Sequence, residues 1–437
     1  MSIELLTVLL FLSIIAAFAA GVPVGFGLGA IGMLFATFTW GPQAYKLIPT
    51  TALNGVSSFI LLAIPLFIFM GQVLVRSGLG EAMFHAGHVA AGRLRGGLAI
   101  GVIVVCALIG AMVGIIGAGI MTAGSVALEP MFKRGYNRYL ALGSVMAGGG
   151  LGILIPPSIP MILFAAVTKS SIGKMFAGGL IPAAIMIALF IAYIGIRCWL
   201  QPKMGPALPP EERASTRDKL IAMRDGALAF ALICLVLGSI LFGVATPTEA
   251  AAIGAMGAIA IAMVYGRFNF GVLKEASIGA MNLTAIAVWI IIGATVFSNF
   301  HMMMGAGRLL TSLTQDLGLG PMGVIILMQL SMLLMGLIID EFIIVIICAP
   351  LFTPIAISLG FDPIWFGILM ILNMEIAIQT PPYGFALFYL KAVAPPDVTM
   401  MDIYKSIAPF LTIKLVVLGI CMAFPDVITW LPNLLFD

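Results

Sequence analysis

Apolar stretches at or near bilayer-spanning length recur along the whole of this chain, and that feature alone excludes soluble architectures. Residues 5–20, 59–75, 98–116, 180–196, 227–244, 285–297 and 322–339 are the main ones, and 407–424 is interrupted by Lys414. About 20 such residues cross the hydrocarbon core as a helix. Composition agrees: 62% of the 437 residues are hydrophobic and 9% charged, against about 25% charged in a soluble domain. The mean hydropathy is +1.18. Nothing soluble covers its surface with so few charges.

The first Lys or Arg is Lys46, so the N-terminus lacks the basic region of a cleavable signal peptide and its first apolar stretch reads as a retained helix. Cys106, Cys198, Cys234, Cys348 and Cys421 are scattered singly, without metal-ligand spacing, and read as small packing residues. Lys and Arg cluster in the segment Arg197, Lys203, Arg213, Arg217, Lys219, Arg224, which also holds four prolines. The positive-inside rule puts this segment in the cytoplasm. Arg76/Arg93/Arg95, Lys133/Arg134/Arg138, Lys169/Lys174 and Arg267/Lys274 are expected on the same side. The first 45 residues and the tail after Lys414 carry no Lys or Arg, so both termini are expected outside. Each half then crosses an odd number of times, and repeated halves would be inverted.

A repeat is visible. Pro156-Pro157 and Pro381-Pro382 lie 225 residues apart, and Gly135-Tyr136-Asn137 matches Gly360-Phe361-Asp362 at that offset. Val22-Pro23 matches Thr246-Pro247 at an offset one shorter. The break 114–119 takes the part that Asp340-Glu341 plays in the second half. Interrupted helices in matching positions of inverted halves mark secondary transporters. The expected fold is an all-α polytopic membrane protein of two inverted-topology repeats, 1–200 and 225–437, joined by a cytoplasmic linker, 201–224. Each repeat is expected to hold a re-entrant helical hairpin, about 138–170 and about 362–392. The first lies between basic clusters some 30 residues apart, too few for two full crossings of about 20 each.

The two Pro-Pro tips concentrate the chemistry. Two prolines in series end one helix and start another, and such backbone survives in lipid only when buried or lining a cavity. Freed carbonyls suit a cation and half-helix N-termini suit an anion, with Ser158 and Thr380 adding hydroxyls. A plain proline kink is the bland alternative, disfavoured by the matched pair. Asp340 and Glu341 lie between apolar runs and read either as a helix break that ligates a cation or relays a proton, or as a loop end at the interface or satisfied structural acids. Glu375 and Gln379 lie one turn apart, with Asn373 nearby. Glu249 reads as a helix cap after Pro247. Glu81, His85 and His88 share a helical spacing but lie among basic residues, which favours a solvated face. His301 reads as interfacial. No phosphate-binding loop, HExxH or GxSxG occurs, so direct ATP hydrolysis and enzymatic activity are not expected.

Five motifs carry a family resemblance: Gly110-Ala111-Met112-Val113-Gly114; Pro130-Met131-Phe132-Lys133-Arg134-Gly135-Tyr136; Leu151-Gly152-Ile153-Leu154-Ile155-Pro156-Pro157-Ser158; Ala245-Thr246-Pro247-Thr248-Glu249-Ala250-Ala251; and Thr380-Pro381-Pro382-Tyr383-Gly384-Phe385-Ala386-Leu387-Phe388. Together they resemble the large membrane subunit of TRAP (tripartite ATP-independent periplasmic) transporters, across essentially the whole chain. The resemblance implies an elevator-type, sodium-coupled importer of small organic anions in the bacterial inner membrane, with scaffold and transport domains. It implies a small four-helix membrane subunit, expected here as a separate chain, and a periplasmic solute-binding protein. No cofactor besides Na+ and no nucleic acid is implied; lipid surrounds the chain. Sodium sites are implied near Gly114, Gly117, Thr122, Pro156, Ser158, Asp340, Thr380 and Pro382. The wider substrate and ion region takes in Ile155, Pro157, Asn373, Pro381, Tyr383 and Gly384. Family members with Ser-Gly-Ser at the first break differ from Gly114-Ile115-Ile116-Gly117 here.

With no Lys or Arg seen near either tip, the anion is expected to rest on helix N-termini, hydroxyls and bound sodium. A binding-protein-independent Na+ or H+ symporter is the rival within transport. A membrane subunit of an ion-pumping complex is the rival outside it, disfavoured because nearly all Lys and Arg fall in loops.

Overall fold

The computed structural model describes residues 3–46, 49–50, 53, 57–78, 83–84, 86–87, 94–114, 116–207, 216–306 and 318–436. Glu81, His85 and His88 lie outside the described residues, as do 208–215 of the linker. Described helices account for the apolar runs: α1 (Ile3–Ala19), α2 (Val24–Trp40), α3 (Ala63–Arg76), α4 (Gly97–Val113), α5 (Ile116–Lys133), α6 (Arg138–Gly150), α7 (Ile159–Thr168) and α8 (Ile172–Leu200). After the linker come α9 (Thr216–Leu241), α10 (Pro247–Val264), α11 (Phe270–Met303), α12 (Pro321–Gly336), α13 (Glu341–Ser358), α14 (Pro363–Ala377), α15 (Phe385–Val393), α16 (Met400–Ala423) and α17 (Asp426–Phe436). Among the described residues seven helices are long and apolar enough to cross a membrane.

Local chemistry sets the helix starts. Asn137 caps α6 by accepting from the amides of Tyr139 and Leu140, and Asp362 caps α14 by accepting from Ile364 and Trp365. Asn137 and Asp362 are the two positions that match at the 225-residue offset. Thr246 and Glu249 form a reciprocal capping box on α10, as the sequence suggested.

Tracing the ends of the helices corrects the hairpin assignment. At one end of the molecule, here termed the linker end, the Gly96 amide donates to the Gly205 carbonyl, the Leu98 amide to the Tyr136 hydroxyl, and the Asn137 amide to the Met204 carbonyl. Arg197, Lys405 and Asn137 share a cavity there. The 29-residue α8 therefore runs from Ser171, at the far end, to Arg197 at the linker end, about 43 Å at 1.5 Å per residue. At the far end, a Cβ on Gly173 would touch the Phe436 ring, and one on Gly178 would touch Ile364, Ile368 and Ile428. Residues 138–168 thus begin at the linker end and finish at the far end. They are a broken crossing helix, not a re-entrant hairpin.

The chain folds back one step earlier. α4 leaves Gly96 at the linker end, reaches the molecular interior at Gly114, and α5 returns to Tyr136 beside Leu98. α14 starts at the far end, where the Trp365 indole donates to the Cys421 carbonyl, and α15 leads to Asp397, which pairs with Arg138 at the linker end. Residues 362–392 are also a broken crossing. The fold-back is α12–α13: α12 meets α14 at Gln329 and Gly336, and α13 returns to the start of α14. Lys169 and Lys174, expected beside the other basic clusters, sit at the opposite end from them.

Helix packing separates into two groups. α2 and α11, α3 and α10, α3 and α11, α9 and α10, and α1 and α2 pack on one another. α4–α8 and α12–α17 form the second group, centred on α6 and α14. The groups meet mainly where α11 touches α13 and where α3 touches α4.

Candidate functional site

Four backbone interruptions lie in the interior of the second group. They are the two fold-back turns, at Gly114 and at 337–340, and the two crossing breaks, at 151–158 and 378–384. The Pro156-Pro157 and Pro381-Pro382 peptide bonds are both cis.

The first fold-back seats on the first crossing break. Gly114 is buried with φ 65°, and a Cβ there would stand 2.6 Å from the Pro157 carbonyl oxygen. Only glycine meets both demands. Gly110 likewise faces Gly152, and Gly119 faces Gly149. Ser158, fully buried, caps α7 by accepting from the Met161 amide and donates its hydroxyl to the Ile153 carbonyl. Pro156 and Pro157 are buried and Ile155 half-buried.

The second pair of breaks is more open. Asp340 is half-buried and caps α13 through the Phe342 amide at 3.0 Å; Glu341 beside it is buried. The Thr380 hydroxyl donates to the Ile376 carbonyl at 2.7 Å. Pro381 is half-buried, Pro382 and Tyr383 are exposed, and Gly384 is buried. The Tyr404 hydroxyl donates to the Pro382 carbonyl. Ser158 and Thr380 each spend their proton on a backbone carbonyl, and Ser158 also accepts from the Met161 amide, which leaves one acceptor lone pair on the Ser158 oxygen and two on that of Thr380. Such an oxygen suits a cation. Among the described residues no three His, Cys, Asp or Glu side chains are grouped to hold a metal ion.

Of the remaining sequence candidates, Gly117 packs against the Tyr389 ring of α15, which links the first fold-back to the second crossing. Thr122 lies further along α5, its carbonyl accepting from Ser125. Asn373 is not aimed at a tip. Its buried amide donates at 2.7 Å to both the Gln329 carbonyl and the Gln329 side-chain oxygen, fastening α14 to α12.

A lysine does lie beside the tips, contrary to the sequence expectation. Lys414 of α16 is fully buried, with Nζ 2.8 Å from Gln379 Oε1 and 2.9 Å from Glu375 Oε1. A Cβ on Gly150, just before the first tip, would stand 2.9 Å from the same Nζ. The sequence signal was a lone lysine in an apolar run, which needs a buried counter-charge, and Glu375 with Gln379 one turn on was the available partner. His301 has partners that the sequence did not show. It is buried, 2.9 Å from the Thr7 hydroxyl and flanked by Phe11 and Phe297.

The interruptions can hold oxygen-liganded cations at helix C-terminal carbonyls and an anion at the N-termini of α7, α13 and α15. Against known proteins, residues 11–427 match the family described as "Tripartite ATP-independent periplasmic transporter, DctM component". The C4-dicarboxylate TRAP transporter large permease protein DctM of Vibrio cholerae is 32% identical, the match covering 98% of this chain and 97% of that one. The protein of the same name from Pseudomonas aeruginosa is 34% identical over 92% of this chain and 91% of its own. In fold, the chain resembles the crystal structure of the Alcanivorax borkumensis YdaH transporter, with a TM-score of 0.65, 18% identity and 90% of each chain covered.

Proposed function

The chain belongs to the DctM component family of tripartite ATP-independent periplasmic transporters, and from that premise we propose that it imports a small organic anion coupled to sodium. The carrying observation is the convergence of four backbone interruptions, two glycine- or acid-marked fold-backs and two Pro-Pro crossings, inside one group of helices. That arrangement supports cation binding by carbonyls and hydroxyls next to anion binding by half-helix N-termini. Relatives above 30% identity are named for C4-dicarboxylates, so a small carboxylate is the first substrate to try.

The two halves run through the molecule in opposite senses, which supports inverted repeats. Arg95, Lys133, Arg134, Arg138, Arg197, Lys203 and Lys405 gather at the linker end, and Lys169 and Lys174 at the other. The positive-inside rule then favours a cytoplasmic linker end in a bacterial inner membrane. α17 belongs to the far end, so the C-terminus is read as periplasmic, and the N-terminus with it. The family's tripartite description supports two partners, a periplasmic solute-binding protein that delivers the anion and a small membrane subunit. The two packing groups support an elevator in which α4–α8 and α12–α17 travel against the rest.

The test is uptake of a labelled dicarboxylate into proteoliposomes holding this chain and its small partner, with and without an inward sodium gradient and the cognate binding protein. Uptake that needs both is expected. Uptake that needs sodium alone would replace the tripartite reading with a stand-alone symporter, and uptake indifferent to sodium would remove sodium as the coupling ion.

A further inference from the structure

We propose that Lys414, Glu375 and Gln379 form a positioning lock that ties the two broken crossings together and sets the geometry of the second tip. All three side chains are fully buried, and they come from α16, α14 and the segment just after α14. The Lys414 ammonium donates to Gln379 Oε1 at 2.8 Å and pairs with Glu375 Oε1 at 2.9 Å, with the Phe190 ring of α8 as its third neighbour, 6.0 Å away.

The hydrogen bonds fix a direction. An ammonium only donates, so Gln379 must turn its oxygen toward Lys414 and its NH2 the other way. There Nε2 donates to the Met146 carbonyl at 3.1 Å, one of the last carbonyls of α6. Gln379 therefore spans both crossings, and it is the residue immediately before Thr380-Pro381-Pro382. The C-terminal ends of α6 and α14 both point into this place, where their partial negative charge favours a cation. Gly150 leaves the room: a Cβ there would stand 2.9 Å from both Lys414 Nζ and Glu375 Oε1. Lys414 is enclosed and already paired, so its role is to position Gln379 rather than to bind the transported anion.

Two variants of the full chain separate the lock from general packing. Gln379→Leu cuts the bridge and keeps the ion pair. Glu375→Gln combined with Lys414→Met removes both charges without leaving either buried alone. Hydrogen exchange is followed at 376–388 and, as reference, at 247–264 in the other helix group. The lock predicts exchange at the tip faster by about tenfold or more in both variants, with the reference unchanged. It also predicts a several-fold higher half-saturating sodium concentration for uptake at equal protein level; this arm alone rests on the proposed sodium coupling. Wild-type exchange rates at the tip in either variant would overturn the lock, as would acceleration equal in both segments. Should the double variant not assemble, Gln379→Leu decides alone. Wild-type uptake indifferent to sodium would sink the coupling reading and leave the exchange result standing.

Discussion

Gly114 shows how little freedom single positions at the breaks retain. Its φ of 65° disfavours any side chain, and a Cβ would sit 2.6 Å from the Pro157 carbonyl oxygen. Gly114→Ala is expected to cost on the order of 1–3 kcal/mol and to abolish uptake, with reduced protein level in the membrane as the accompanying readout. Ser158→Ala removes the cap of α7, a loss of about 1 kcal/mol, and one oxygen from the first break. Thr380→Ala removes one oxygen from the second break and the hydroxyl's bond to the Ile376 carbonyl, which still accepts from the Gln379 amide. Both are expected to raise the half-saturating sodium concentration while leaving the protein assembled, and Ser158→Ala to unfold at lower temperature than Thr380→Ala. Unchanged uptake kinetics in both would argue against the tips. The sequence pointed to these residues because proline pairs and capping hydroxyls announce themselves locally. It did not place Lys414, because the partner of a lone buried lysine is set by packing between helices far apart in the chain.

At the scale of elements, the breaks were legible and their direction was not. Proline pairs and a glycine-rich turn both end helices, and nothing local says whether the chain then continues or returns. Counting residues 138–170 against two full crossings left out a single crossing with an unwound middle. The half-helices of 13 and 10 residues span about 35 Å at 1.5 Å per residue, enough for a hydrocarbon core of about 30 Å. Contacts far apart in sequence decide the matter: Asn137 to Met204 at one end, Gly173 to Phe436 at the other. Single cysteines at Arg138 and Lys169, in a chain with Cys234 replaced by serine, are therefore expected to react with a membrane-impermeant thiol reagent from opposite sides. Reaction from the same side would restore the re-entrant hairpin. Loss of Arg138 itself should cost about 1 kcal/mol, because its pair with Asp397 is solvent-exposed and its pair with Asp402 only half-buried.

For the whole molecule, composition was enough to identify a polytopic membrane protein and the spaced motifs its family. The division into two helix groups became visible only through packing. Between the groups lies a cavity of about 210 Å³, with Thr295 and Ser298 of α11 on one wall and Ala166 of α7 and Pro350 of α13 on the other. If the groups move past each other, a bifunctional thiol reagent joining cysteines at Ser298 and Ala166 should stop uptake. The same reagent joining two positions on α2 and α11, within one group, should not. Equal transport in the two cross-linked proteins would exclude such movement. The central claim, that the four interruptions form a sodium site, is tested most directly by equilibrium binding of radioactive sodium to the purified protein, wild type beside Ser158→Ala and Thr380→Ala. Saturable binding in the wild type that weakens in both variants is predicted. Absence of saturable binding in the wild type, or equal affinity in all three proteins, would contradict it.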